Sequence, residues 1–310
     1  MSEVSLSPQT KSDIDKRVLR ILEELGNPSP PIQHEMIREL LKLDLHYFKQ
    51  DDPGIISEVI SRLKRMGKQI MLRPSLLWDM IRDKSLRAAY IPDVKRIYVD
   101  EELHHLKKRW GETHECVHDL LPWHREYLLG DNDHTLTQTC RDILEAEANY
   151  GTGRLLFAGN RFNQELADLP CSRETISKMS KTYKNSLTST LWRIVESINT
   201  FPVFGYICPN DSYGANDVTI SLDSDIHLVK SPIFEKLFFQ NEQQIDRIVR
   251  KHLRKYAKYY AGEGEEYLSD INGTEHLFRF EIINNRYCYL TLGSCPKWFS
   301  TFSVEEVVNL

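Results

Sequence analysis

No stretch of the chain approaches the roughly 18 consecutive apolar residues that a membrane-spanning helix needs, so no membrane anchor is expected. The segment Met1 to Lys16 is polar and lacks the apolar core of a secretory signal, which predicts a cytoplasmic location. The six cysteines, at 116, 140, 171, 208, 288 and 295, form no C-x-x-C pair. Free thiols are therefore expected, and a structural zinc knuckle is not indicated. A G-x-x-x-x-G-K phosphate loop is missing, which argues against a nucleotide-hydrolysing enzyme. A strong charge of one sign is missing too. The formal net charge of −5 gives no general pull toward nucleic acid, so any such binding needs a local basic patch. Internal repeats and low-complexity tracts are also absent. What remains is a chain of 310 residues, 41% apolar and 27% charged, the balance of an ordinary folded protein of two or three compact units.

Apolar spacing divides the chain into four regions of an α+β protein. Residues 1–84 read as a helical region. Its helices run from Ser12 to Leu25, from Ile32 to His46 and from Ile55 to Met66, with a short strand near 69–74 and a helix from Ser75 to Asp83. Residues 85–170 hold a strand in which Ile97 and Val99 alternate with Arg96, Tyr98 and Asp100. A helix carrying His114 follows, and then a long helix from Leu136 to Leu156. Residues 171–200 contain two short helical patterns, Thr175–Tyr183 and Ser186–Ile198, about a small turn. Residues 201–310 turn to strands at Pro202–Cys208, Val218–Leu222, His276–Ile283 and Tyr287–Leu292, interrupted by a basic helix from Gln243 to Tyr260. Asn284-Asn285 between the last two strands suits a tight hairpin.

The chemistry concentrates at residues 114–118, His-Glu-Cys-Val-His. On a helix, residues four apart share one face, so His114 and His118 point both imidazoles at one ion. Glu115 lies beside them, where it can take a proton from water. A peptidase zinc has three protein ligands and leaves one place open, and two residues compete for the third. His124 lies ten residues after His114, a metzincin-like spacing, but Leu121 stands where that pattern needs glycine for its turn. Glu145 is the preferred candidate. It lies in Glu-Ala-Glu-Ala-Asn (145–149), where Glu145 and Asn149 share a helical face, so Asn149 would hold a ligating histidine from behind. Glu147 points roughly the other way. Cys116 projects from another face and has no catalytic role, while His104, His105 and His134 read as surface residues.

These blocks, with Leu-Leu-Phe-Ala-Gly-Asn-Arg-Phe at 155–162 and the preceding strand Arg-Ile-Tyr-Val-Asp at 96–100, resemble the ImmA/IrrE zinc metallopeptidases over about residues 85–198. The chain departs from that family at Val117, where glycine is usual, and at Gly151-Thr152, where an aromatic-small pair is common; both concern helix packing more than ligation. The resemblance implies a mostly helical zincin-like core with a small sheet, a helix-turn-helix-like segment, and a C-terminal α+β domain, GAF-like, that senses a signal. It implies a zinc-dependent endopeptidase with Glu115 as general base and His114, His118 and Glu145 as ligands. Its substrate would be a partner protein, a helix-turn-helix repressor, whose cleavage switches on a stress, mobile-element or phage-defence response. The strand Arg96, Ile97, Tyr98 and Val99 would pair with the extended substrate.

A second reading stays open: a zinc-containing regulatory DNA-binding or sensor protein with little peptidase activity. The helix pair at 172–198 motivates it. So does the basic helix 243–260, whose Arg247, Arg250, Lys251, Arg254, Lys255 and Lys258 would contact nucleic acid phosphates. A solvated face beside the apolar stripe Ile245, Ile248, Val249 and Leu253 is the plainer account of that helix.

Overall fold

A computed structural model describes residues 6–49, 88–124, 138–209, 226–254, 257–295 and 298. The helices expected at 55–66 and 75–83, the strands at 69–74 and 218–222, and His134 lie outside the described residues. The fold is α+β, and the chain divides into two compact units, 1–162 and 163–310.

The N-terminal unit begins with helix α1, Pro8–Glu24, capped by Ser7, whose hydroxyl accepts from the Thr10 amide. Its stripe of Ile14, Val18, Ile21 and Leu22 is buried, each contributing roughly 1.5–3 kcal/mol of apolar burial. Helix α2, His34–Leu40, is shorter than the expected 32–46. The chain turns at Lys42, with φ of 56°, and enters strand β1, Asp44–Phe48. β1 pairs in parallel with β3, Arg96–Asp100, and β3 pairs antiparallel with β2, Ala88–Ile91, across a turn at Pro92–Val94. Among the described residues this gives a three-stranded sheet of order β1-β3-β2. Helix α3, His105–Leu120, packs on β2, β3 and α2, and helix α4, Gln138–Leu156, packs on α3 and α1.

Two departures noted in the sequence meet at the α3–α4 contact. A Cβ placed on Gly151 of α4 would lie 2.7 Å from Val117 Cγ1 of α3, closer than atoms tolerate. Val117 is fully buried. The valine on one helix is seated against the glycine on the other, so the unusual residue at each position is explained by its partner.

The division between the units falls within helix α5, Asn160–Ala167. The C-terminal unit then continues with α6, Arg173–Tyr183, and α7, Leu187–Ser197, each started by a serine cap, Ser172 and Ser186. Among the described residues five strands follow: β4, Val203–Pro209; β5, His227–Lys230; β6, Tyr260–Ser269; β7, Glu275–Asn284; and β8, Cys288–Ser294. They form one antiparallel sheet of order β5-β4-β8-β7-β6. Helices α8, Pro232–Phe238, and α9, Glu242–His252, lie between β5 and β6 in the chain. β4 is apolar throughout because it is covered on both faces. Gly205 meets Leu191 and Val195 of α7, while Phe204, Tyr206 and Cys208 join the opposite core with Phe234, Phe238, Ile245 and Phe278. The basic helix expected over 243–260 stops at His252, where Leu253 turns extended, and Tyr260 already belongs to β6. Among the described residues no helix is long and apolar enough to cross a membrane.

Candidate metal centre

Helix α3 places the His-Glu-Cys-Val-His motif in its last turns, and α4 brings Glu145 against it. His118 Nε2 lies 3.2 Å from His114 Nε2, His114 Nε2 lies 3.1 Å from Glu145 Oε2, and His118 Nε2 lies 3.6 Å from Glu145 Oε1. One ligand atom from each of the three residues falls within 4.8 Å of the others, the one such group among the described residues. A tetrahedral ion bound at about 2.0–2.1 Å has ligand atoms about 3.3 Å apart. The three separations, those to Glu145 each taken to its nearer oxygen, bracket that value, so the side chains present fit a small ion with two imidazoles and one carboxylate. The Glu145 side chain is 60% exposed, so the group opens to solvent on that side.

The electrostatics separate the roles. Burial, followed by the charge of His114, pushes His118 down to about 3, so its ring is neutral at neutral pH with a lone pair to give. Burial works against charge on His114 as well, but there the Glu145 hydrogen bond and the charges of Glu115 and Glu145 win and raise it. Asn149 also hydrogen-bonds His114. For Glu145, the partial loss of water around its carboxyl is outweighed by the hydrogen bond from His114 and the charges of the histidines, which hold the carboxyl below its ordinary value. Glu115 is buried beside this group. Burial pushes it up to about 7 against the attraction of His114 and a hydrogen bond from the Tyr90 amide. A carboxylate tuned to that range accepts and returns a proton at neutral pH. Cys116 faces away, and burial pushes its thiol up, leaving an inert thiol.

His124 does not join the ligand atoms. The chain leaves α3 extended at Leu121 and turns at once, with the His124 amide donating to Leu121 O. The ring of His124 is thereby buried behind His118, its Nδ1 2.9 Å from His118 Nδ1 and its Nε2 2.8 Å from Glu147 Oε2. Trp123 Nε1 donates to the same Glu147 oxygen at 2.6 Å. Sequence reasoning missed this arrangement. Its one signal was two carboxylates two apart on α4, which a helix must point in different directions.

The expected substrate strand needs correction. Arg96, Ile97, Tyr98 and Val99 hydrogen-bond with β1 on one side and β2 on the other, so their main chain has no free edge to pair with a peptide. Among the described residues β2 is the edge next to α3, and its Tyr90 amide reaches Glu115. The basic helix is also less available than its composition suggests. Ile245, Ile248 and Val249 are buried, Arg250 pairs with Asp246 at 2.7 Å, and Lys251 and His252 both reach Glu266. Arg254 and Lys258 lie beyond the helix, and Lys255 lies outside the described residues. His104 and His105 are exposed near the start of α3.

No protein-family model and no curated protein matches the sequence. The structure is similar to that of a Mycobacterium tuberculosis transcriptional regulator, with a TM-score of 0.50 and 12% identity, covering 94% of this chain and 92% of that one. At that identity the likeness is one of fold, an α+β chain of helices with two small sheets.

Proposed function

We propose that the chain is a zinc-dependent, site-specific endopeptidase that cleaves a partner protein, a transcriptional repressor, and so switches on a stress, mobile-element or phage-defence response. The observation that carries the reading is the convergence of His114, His118 and Glu145 beside a buried Glu115. Two imidazoles and a carboxylate with one open side form a donor set that zinc accepts in hydrolases. When bound, the ion supplies Lewis acidity at the open side of the group. The chain's own residues do the rest. Glu115, poised near neutrality by burial, takes a proton from the attacking water and returns it to the leaving amine. The edge of β2, next to Glu115, offers main-chain groups to an extended peptide. The resemblance of residues 85–198 to the ImmA/IrrE metallopeptidases supports the repressor as substrate, and the regulator among solved structures of like fold agrees with a regulatory setting.

The test is Glu115→Gln, which keeps the shape and the ligands. Purified protein should hold about one zinc per chain by metal analysis in wild type and variant alike. Cleavage of a helix-turn-helix repressor substrate should fall by about 10²–10⁴-fold in the variant. Equal cleavage by both proteins would sink the mechanism.

The second reading is a regulator whose zinc is structural, and the helix pair α6–α7 with its three-residue turn favours it. Against it, α7 buries Leu191, Arg193, Ile194 and Val195. Salt-dependent DNA binding that survives Glu115→Gln, with no cleavage by wild type, would decide for the regulator.

A further inference from the structure

We propose that Glu147 and His124 form a buried relay that positions the ring of His118 from behind, and that this relay sets how tightly and in what geometry the site holds its ion. The proposal rests on the reading of His118 as a metal ligand. Three contacts fix where the ring protons sit. Glu147 Oε2 is a carboxylate oxygen and accepts, so the His124 Nε2 atom 2.8 Å away carries the hydrogen. In the neutral form of His124 the one ring proton is used there, and Nδ1 presents a lone pair. Across 2.9 Å it faces His118 Nδ1, and two lone pairs or two N–H groups at that distance would repel. His118 Nδ1 therefore carries the proton and donates. That leaves His118 Nε2 as the lone-pair atom, and Nε2 is the atom that faces His114 and Glu145. The chain of contacts selects the one tautomer that can ligate.

The surroundings hold this arrangement fixed. His124 is fully buried and Glu147 nearly so. The second donor to Glu147 Oε2, Trp123 Nε1 at 2.6 Å, is an indole N–H that can only donate. Helix α4 thus grips one imidazole from both ends: Glu145 meets Nε2 directly, and Glu147 reaches Nδ1 through His124. A ligating histidine commonly gives its second N–H to a carboxylate, carbonyl or water, which fixes the ring and raises its basicity. Here a second histidine is interposed, so His124 and Glu147 are positioning residues that do not touch the ion.

The experiment uses the full chain and the metal alone. Zinc affinity is measured by competition with a chelating dye, and ligand geometry by the visible absorption of the cobalt-loaded protein, for wild type, Glu147→Gln, His124→Phe and His124→Asn. Glu147→Gln keeps the shape and removes the charge; His124→Phe fills the space and removes the acceptor. Both should lose on the order of 10–100-fold in zinc affinity and shift the cobalt bands. His124→Asn, whose amide oxygen stands near the place of Nδ1, should recover most of the affinity. Metal-free melting curves report whether each variant is folded. Zinc affinity and cobalt bands like wild type in both Glu147→Gln and His124→Phe would overturn the relay and leave the metal reading standing. A wild-type protein that takes up neither metal would overturn the metal reading, and the relay with it.

Discussion

The two units differ in the largest polar group each buries. In the N-terminal unit Glu115, His118, His124 and Glu147 are all buried around one imidazole cluster. In the C-terminal unit the cores facing the sheet are apolar and aromatic, and the central one is built from Phe204, Phe234, Phe238, Phe278, Phe280 and Trp298. Its buried acids serve local structure: Asp270 holds a turn, and Glu281 accepts the amide of Arg173 at the start of α6. Buried charge is costly wherever it stands. In the N-terminal unit several such groups meet one another on facing helices, whereas Asp270 and Glu281 each hold a backbone amide.

The largest test of this contrast removes a ligand. Glu145→Ala should reduce zinc binding by several orders of magnitude, because one of three protein donors is lost, while a folding probe changes little at this half-exposed side chain. His124→Ala should keep zinc at a weaker affinity. Equal loss in both variants, read by metal analysis after dialysis, would make His124 a ligand and break the assignment. The reverse experiment strikes the aromatic core. Phe278 is fully buried, with ring centroids 5.1 Å from Phe238 and 5.7 Å from Phe234. Phe278→Ala should cost about 3–5 kcal/mol in urea unfolding and leave one zinc per folded chain.

How much of this could be read in advance follows from how local each signal is. The α3 motif, Glu145 and Asn149 were legible because helical spacing puts them on facing surfaces within one segment each. The hairpin at Asn284-Asn285 was legible because its turn chemistry sits between two apolar runs. β1 was not. Asp44–Phe48 is a strand because Arg96–Asp100 lies beside it, and nothing within the segment itself marks that distant partner. β6 was missed because Gly262, Gly264 and the three glutamates Glu263, Glu265 and Glu266 dilute its alternation, and a bulge near Gly262 shifts its register. The two ends of the His118 ring show the same divide. Glu145 follows from a helical face, whereas the Glu147 link depends on where the Leu-Pro-Trp-His turn places a buried ring.

A smaller effect tests whether the α3–α4 contact holds the site. Gly151→Ala puts a methyl into Val117 and should destabilise by about 1–3 kcal/mol. The paired change Val117→Ala with Gly151→Ala should recover part of that loss, since contacting residues couple by roughly 0.5–3 kcal/mol. Zinc affinity should weaken in the single variant and return in the pair. Additive unfolding energies would mean that the two residues do not meet as described.

The smallest expected effect concerns Asp270, and it separates a structural acid from a functional one. Asp270 Oδ1 accepts from the amides of Asn272 and Thr274 at 2.8 and 2.9 Å, and Oδ2 lies 3.1 Å from His276 Nε2. Burial opposes its charge, but the His276 hydrogen bond and the two amides outweigh it and lower the carboxyl below its ordinary 3.8. The folded state therefore binds this proton less readily than the unfolded chain does. The stabilisation is fully present above about pH 4 and is lost as pH falls through the depressed folded value. Asp270→Asn keeps an acceptor oxygen and removes the charge, so it should cost about 1–2 kcal/mol at pH 7. The gap to wild type in urea unfolding should narrow as pH drops from about 4 toward 2. Zinc content at pH 7 should be unchanged, because the candidate ligands His114, His118 and Glu145 belong to the other unit. A gap that stays constant through that range would mean the carboxylate's charge contributes nothing to the turn, and that its two amide bonds carry the whole effect.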